Sequence, residues 1–469
     1  MLITNSLNLL IVMSVKTTFY FGILVLLSLA SKGCSKDSQE FNTTIQENIE
    51  ENLRNQESDS VNSSDSSEYD SSEIKAFPDA IGHGRYATGG RGGKVLIVEN
   101  LNDSGPGSLR AAFEAMGTRN VVVKVAGFID LKSPISIRYP NMTFEGNTAP
   151  GDGIVVRGAQ IGIHSSNHII RNLAIMVGEN APNNADALQI FGGEFEFAEN
   201  VIVDHCSLSH GTDENLGVSA AKNVTISNTI ISNHKGNGGS IVGADYTTYN
   251  ISFVQNLQIW NDERNPRLQQ YGKVEYINNM FYGFVTPAQL SDGCQFDMIG
   301  NIWENETNSK QKFIIDMLSE GGELKDETAF IFDNLYDGKK EVDIDTELNK
   351  SISTNRILPS DINPIPSTQV RAYIVENVGS RHFSSSGLNS YDASLLSDIV
   401  NKVDSNYDTE PYNYPTLTQG EPYLDSDLDG MDDNYEVQKF GDLSQNETTD
   451  FDENGYTDLE EFFFFLNKG

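Results

Sequence analysis

Two twelve-residue stretches near the end of the chain place oxygen-bearing side chains at fixed intervals. Asp425, Asp427 and Asp429 alternate ahead of Gly430, with Met431, Asp433 and Glu436 completing the stretch. Asp450, Asp452, Asn454, Gly455, Tyr456, Asp458 and Glu461 repeat it. Side-chain oxygens at positions 1, 3, 5, 9 and 12, with the backbone carbonyl of position 7, build a seven-coordinate cage for Ca²⁺, and glycine at position 6 makes the turn. The residues between Glu436 and Asp450 are too few for two full EF-hand helices, so residues 421–469 read as a small structural or attachment module, with Phe462 to Leu466 supplying its core.

The elements ahead of this module show themselves by repetition. Short β-rich runs, each broken by a polar residue, recur from about 140 to 340: His168-Ile-Ile-Arg-Asn172, Val201-Ile-Val-Asp-His205, Val224-Thr-Ile-Ser-Asn228, and on through Asn256, Asn279, Asn301 and Asn334. A coil of roughly constant length with insertions on some turns is the signature of a solenoid. Strands this short, with an Asn at the bend, predict an all-β fold, a right-handed parallel β-helix. In it each Asn stacks on its equivalent one turn later, so that donors and acceptors are satisfied in a dry corner. Leucine-rich repeats would need fixed Leu spacing and a helix per turn, and neither is present.

Composition bounds the partners. The chain has 469 residues and a formal charge of −35, from 67 acids against 32 bases. Phosphate binding needs a basic face, which argues against nucleic acid. Residues 36–75 (11 acids, 3 bases) and 421–469 (15 acids, 2 bases) carry −21 of that charge. Three cysteines are too few for a disulfide scaffold. At the start, Lys16 precedes an apolar run from Phe19 to Ala30 that is too short to span a bilayer and has the layout of a secretory signal. It ends Leu29-Ala30-Ser31-Lys32-Gly33-Cys34, which resembles a bacterial lipoprotein cleavage box with Cys34 as the lipidated residue. The expected organisation is a signal peptide (1–33), a disordered acidic tether (34–75), the β-helix (76–415) and the calcium-binding module (421–469). That layout predicts an exported, monomeric protein held by a lipid anchor at an outer membrane or cell surface.

Ala76-Phe-Pro-Asp-Ala-Ile-Gly82, Ala87-Thr-Gly-Gly-Arg-Gly-Gly-Lys-Val95, Asn102-Asp-Ser-Gly-Pro-Gly-Ser-Leu-Arg110, Val203-Asp-His-Cys-Ser-Leu-Ser209 and Asp262-Glu-Arg264-Asn-Pro266-Arg267 follow one another along the chain. In that order they resemble the pectate lyases of polysaccharide lyase family 1, and Tyr391 to Val400 resembles the family's closing helix. The C-terminal stretches resemble dockerin-type or thrombospondin-type calcium repeats. The resemblance implies cleavage of α-1,4-polygalacturonate, an acidic polysaccharide, by Ca²⁺-assisted β-elimination to 4,5-unsaturated products. It assigns Arg264 as the base, Lys235 as a substrate-binding residue, and Asp186 and Asp213 as ligands of the catalytic Ca²⁺. Gln269 stands where the family often has a second Arg, so Arg267 takes over the clamp on the substrate carboxylate. Ser209 stands where a further acid is usual, and Glu214 or water completes the shell. Asp204 and His205 are read as structural groups on the inner ladder. Ca²⁺ resolves how an acidic protein binds a polyanion, by bridging the two. Two other classes stay open: a polygalacturonan hydrolase on the same fold, which needs juxtaposed carboxylates with one protonated, and a non-catalytic surface glycan-binding lipoprotein.

Overall fold

The computed structural model describes residues 74–467, apart from 179, 195, 245, 270–271, 292, 307–312, 318–327, 338–339, 346–347, 383–386 and 409–411. The expected signal, Cys34 and nearly all of the tether lie outside the described residues.

One coil shows how the chain is wound. Ala198–Asp204, Ser207–Ser209 and Glu214–Ser219 are three strands separated by bends, and the next coil begins at Ala221. Each strand pairs in parallel with its equivalents one coil before and one coil after, so Val201 stands between His168 and Val224. Among the described residues this gives three sheets, here A, B and C in the order the chain visits them, of ten, ten and eight strands, the last strand of sheet B (Lys340–Glu341) pairing antiparallel; apart from them, Arg381–His382 and Gly387–Leu388 form a two-stranded antiparallel sheet. Side chains alternate in and out of the coil. Val201 and Val203 join the central core, while Ile202 faces outward against Ala76, Phe77, Ala80 and Ala87. Inside, like stacks on like. The rings of Phe253 and Tyr276 lie 4.6 Å apart, and those of Phe281 and Trp303 4.8 Å apart. Each such pair contributes about 0.5–1.5 kcal/mol beyond its burial.

The bend from sheet A to sheet B takes two residues. The first is left-handed, with φ between 47° and 65° at Asn172, His205, Asn228, Gln255, Asn278, Gly300 and Asp333. Asn tolerates that region better than most residues. The second forms the ladder. The Asn256 amide donates to Asn279 Oδ1 (2.9 Å), Asn279 to Asn301 (3.0 Å) and Asn301 to Asn334 (3.0 Å). The backbone N–H of Thr229 caps the stack on Asn256 Oδ1 at 3.0 Å. The polar positions counted in the sequence therefore mix two neighbouring columns. Residues 172, 205 and 228 occupy the left-handed column, and 256, 279, 301 and 334 the ladder; Thr229, 27 residues before Asn256, is the true equivalent.

The inner-ladder reading of Asp204 and His205 is corrected in the same way. His205 is a left-handed bend residue. Asp204 lies on the outer parity of its strand and is held by His205 Nδ1 (2.7 Å), Ser227 Oγ (2.7 Å) and Arg171 Nε (3.2 Å). Burial alone would raise its carboxyl; the His205 and Arg171 charges and hydrogen bonds win and hold it well below the usual range. The reason is coverage: the N-terminal segment lies over this face, with Phe77 stacked on Arg171.

Glycines permit that close approach. A Cβ at Gly84 would stand 2.3 Å from the Val201 carbonyl oxygen. Sheet B is covered in turn by helices: after α1 (Leu109–Phe113) at the N-terminal end, α2 (Ser367–Asn377) and α3 (Ser390–Asn401) pack Val370, Ile374, Leu395 and Ile399 on Ile230, Leu257 and Met280. Two further helices, α4 (Asp433–Lys439) and α5 (Asp458–Leu466), follow the two acidic loops. Their core of Met431, Leu459, Phe462, Phe463 and Leu466 closes on Val122, with Val95 and Ile97 of the first two sheet A strands alongside. No described helix covers sheet C.

Candidate functional site

The loops leading from sheet B to sheet C on successive coils carry Asp186, Asp213, Lys235 and Arg264. Because the coils are in register, residues far apart in sequence meet along one edge of sheet C. A cavity of about 380 Å³ lies there, lined by Asp186, Asp213, Glu214, Asn237 and Arg264 at this edge. It extends across the strands to Phe191, Ser219 and Tyr246.

Asp186, Asp213 and Glu214 each aim a carboxylate oxygen at a common point, all three lying within 4.8 Å of one another. Two carboxylates that close repel by about 3–4 kcal/mol at the effective dielectric of a partly wet site. A proton or a cation offsets that repulsion. Burial, then the Asp213 charge, push Asp186 up to about 7, with Arg264 opposing. Hard oxygen donors of this kind suit Ca²⁺. Arg264 pairs through Nη1 with Glu214. Its buried Nε has no hydrogen-bond partner. Burial first and the Arg267 charge second lower its pKa, while Asp213 and Asp186 raise it.

Local backbone makes the arrangement possible. Arg264 sits at φ 59°, and a Cβ on Gly238 (φ 151°) would stand 2.7 Å from the Arg264 Cβ. A Cβ on Gly217 would stand 2.5 Å from Asp186 Oδ2. The Asn237 amide donates to Asp213, and the Asp186 carboxylate accepts the Glu214 N–H at 3.2 Å.

Lys235 and Arg267 belong to the same coils but do not line the cavity. Lys235 is exposed, with its ammonium 5.4 Å from the Tyr412 ring centroid. Arg267 opens the short strand Arg267–Leu268 and donates to the Gln269 amide oxygen, at 2.7 and 3.0 Å, once that amide is oriented to satisfy both groups. Ser209, in the usual place of an acid, is buried and bonded to His210 Nδ1 at 2.8 Å. Sequence reasoning weighed Glu214 only as one option for the metal shell and passed over Gly217, Phe191 and Tyr246, whose roles depend on neighbours a coil away.

The two C-terminal loops repeat each other's backbone. The position-6 N–H bonds the position-1 carboxylate (Gly430 to Asp425, 3.2 Å; Gly455 to Asp450, 2.8 Å). The position-9 carboxylate takes the position-2 N–H (Asp433 from Ser426, 2.8 Å; Asp458 from Phe451, 3.1 Å). In the first loop, oxygens of Asp425, Asp427 and Asp429 converge, as do those of Asp427, Asp433 and Glu436. Glu436 is fully buried, yet both its carboxylate oxygens lack a hydrogen-bond partner, as do one oxygen each of Asp425 and Asp429. Unpaired buried carboxylates are costly, so this donor set fits a cation. In the second loop Glu461 is taken by Lys439 and by the Asn454 amide (2.8 Å), and its acids form no such cluster.

No family model matches the chain. Among curated proteins it is similar to the probable pectate lyase C of Aspergillus flavus, 31% identical over 417 residues covering 83% of this chain and 93% of that protein. The Aspergillus fumigatus protein of the same name is 32% identical over 406 residues, covering 82% and 92%. Among solved structures, a Bacillus sp. N165 pectate lyase in complex with trigalacturonate matches 64% of this chain and 98% of its own, at 19% identity and TM-score 0.48. Identity above 30% along more than four-fifths of its length places this chain in the pectate lyase family, and with it among the polysaccharide lyases.

Proposed function

We propose that the protein cleaves α-1,4-polygalacturonate by β-elimination, with Arg264 removing the C5 proton and Asp186, Asp213 and Glu214 holding Ca²⁺. The C5–H bond breaks, its electron pair forms the C4=C5 double bond, and the C4–O bond breaks, its electron pair leaving on the oxygen of the departing sugar, which takes a proton from water. Bound Ca²⁺ would supply a Lewis acid that offsets the charge growing on the uronate carboxylate. Arg264 must be neutral to accept the proton, which guanidinium groups resist. Its burial and the nearby Arg267 charge work in that direction. Lys235 and Arg267, on the same coils, contact substrate carboxylates. The observation that carries the reading is three converging carboxylates beside a half-buried arginine in one cavity.

The first C-terminal loop binds a structural Ca²⁺ through Asp425, Asp427, Asp429, Asp433, Glu436 and the Met431 carbonyl. The second uses Asp450, Asp452, Asn454, Asp458, Glu461 and the Tyr456 carbonyl, with Lys439 displaced from Glu461. Export, lipidation at Cys34, the 34–75 tether and a monomeric state complete the proposal on sequence grounds.

A hydrolase is the second reading, favoured by Asp186, a carboxyl raised to about 7 beside Asp213. Ultraviolet absorbance of the new double bond on polygalacturonate separates the two. Absorbance growth that needs calcium, stops on chelation and is lost by at least about a thousandfold in Arg264→Ala supports elimination by this base. Reducing ends without absorbance point to hydrolysis, and lyase activity retained in Arg264→Ala refutes the assigned base.

A further inference from the structure

The cavity has two chemically different ends. Strands of sheet C run parallel and in register, so residues before them gather at one edge and residues at their far ends gather at the other. All its charged lining groups (Asp186, Asp213, Glu214 and Arg264) lie at the first edge. At the second edge, among the described residues, the lining is uncharged, and it is dominated by Phe191 and Tyr246.

Those two rings form a built surface. Their centroids are 5.3 Å apart with planes tilted by 48°. The Ser219 hydroxyl donates to the carbonyls of Ala244 and Tyr246, tying down the loop that carries Tyr246. His164 bonds the Phe191 carbonyl through Nδ1 at 2.9 Å and sets its ring edge-on to the Phe191 ring at 6.4 Å. Just past the strands, Phe197 and Tyr249, 38% and 40% exposed, make a second pair at 5.7 Å. Extended chain covers ~3.3 Å per residue, so along the strand Leu188–Phe191, which Asp186 shortly precedes, Phe191 stands about 10 Å beyond the strand's start. A polymer whose reacting unit is held at the acidic edge therefore passes over these rings with a different unit.

An aromatic face is apolar and carries negative charge density. It suits the C–H face of a sugar and an ester methyl, and it disfavours a bare carboxylate. We propose that Phe191 and Tyr246 form a stacking subsite for a methyl-esterified, uncharged galacturonate unit, some units away from the one being cleaved. The enzyme thereby acts on partly esterified polymer, reading charge at one edge and its absence at the other. This rests on the lyase reading of the acidic edge.

The test compares kcat/KM, from double-bond absorbance, on de-esterified polygalacturonate and on partly methyl-esterified pectin. Wild type, Phe191→Leu and Tyr246→Leu are measured, the leucines keeping bulk without a ring. The expected result is a pectin-to-polygalacturonate ratio about tenfold lower in each variant, the size of one lost apolar group in a pocket. Binding of an esterified oligogalacturonide to the Arg264→Ala background, by calorimetry, should weaken to match. If a leucine variant melts early, Phe191→Tyr, which restores a ring, must restore the ratio. An unchanged ratio in both variants, or a wild type that acts on polygalacturonate alone, overturns the subsite and leaves the lyase reading standing. Absence of absorbance on both substrates with wild type refutes the lyase reading itself.

Discussion

Glu436→Gln in the first acidic loop should remove most of the stabilisation that calcium gives the C-terminal segment, and so invert the order of variant and wild type between chelator and calcium. The wild-type carboxyl is pushed up to about 8 from 4.5, by burial first and then by the charges of Asp429 and Asp427. At ~1.36 kcal/mol per pH unit the ionised form is disfavoured by at most about 5 kcal/mol. Glu436 itself is buried, but Ser426, Asp427 and Leu428 of the same loop are exposed, so screening leaves about 1–2 kcal/mol. The sign follows from proton linkage. Without metal, the folded segment keeps a proton that the unfolded one loses above about 4.5. Stability from this group is therefore full below that pH and falls as pH rises toward 8. Glutamine carries no such penalty, so with chelator at pH 8 the variant should be the more resistant to trypsin at Lys439. With calcium the order inverts: at a hundredfold excess over Kd, binding at the first loop adds about 2.7 kcal/mol to wild type, and the variant, short of its bidentate ligand, gains only what the second loop contributes to both proteins. Tryptic cleavage reads this segment alone and is insensitive to an ion at sheet C. Equal calcium protection of variant and wild type would refute the reasoning, as would a chelated variant no more resistant than wild type at pH 8.

Gly217→Ala puts a methyl 2.5 Å from Asp186 Oδ2 and should weaken calcium binding by roughly tenfold or more, raising the calcium that activity requires, with little change in melting; calorimetric Ca²⁺ titration reads it directly. Asn279→Ala breaks the ladder between Asn256 and Asn301 and leaves buried partners unsatisfied, so chemical denaturation should show a loss of about 1–3 kcal/mol. The Cys206 thiol is buried and pushed up to about 12 by that burial. It and buried Cys294 should therefore react with a thiol reagent only after unfolding, as the absorbance of the released chromophore would show.

Much of this molecule is legible along the chain because the information is local. Alternating apolar residues, bend asparagines and the spacing of Asp425 to Glu436 each report on a few consecutive residues, and backbone geometry converts that spacing directly into a coil or a loop. The one-residue slip in the ladder shows where locality ends. Asn228 and Asn256 look equivalent in sequence, and only strand pairing, Val224 against Ile251, shows that Thr229 is the partner. The two acidic loops make the same point. They match one template, yet only the first gathers its oxygens; in the second, Lys439 from the intervening helix reaches Glu461. Tertiary structure alone decided that Glu214 joins Asp186 and Asp213, that Gly217 makes room for them, and that Phe191 and Tyr246 share their cavity. Each of those contacts spans one or more turns of the solenoid. The rise from coil to coil, and the insertions that set it, fix which side chains meet, and no spacing within a single coil records that.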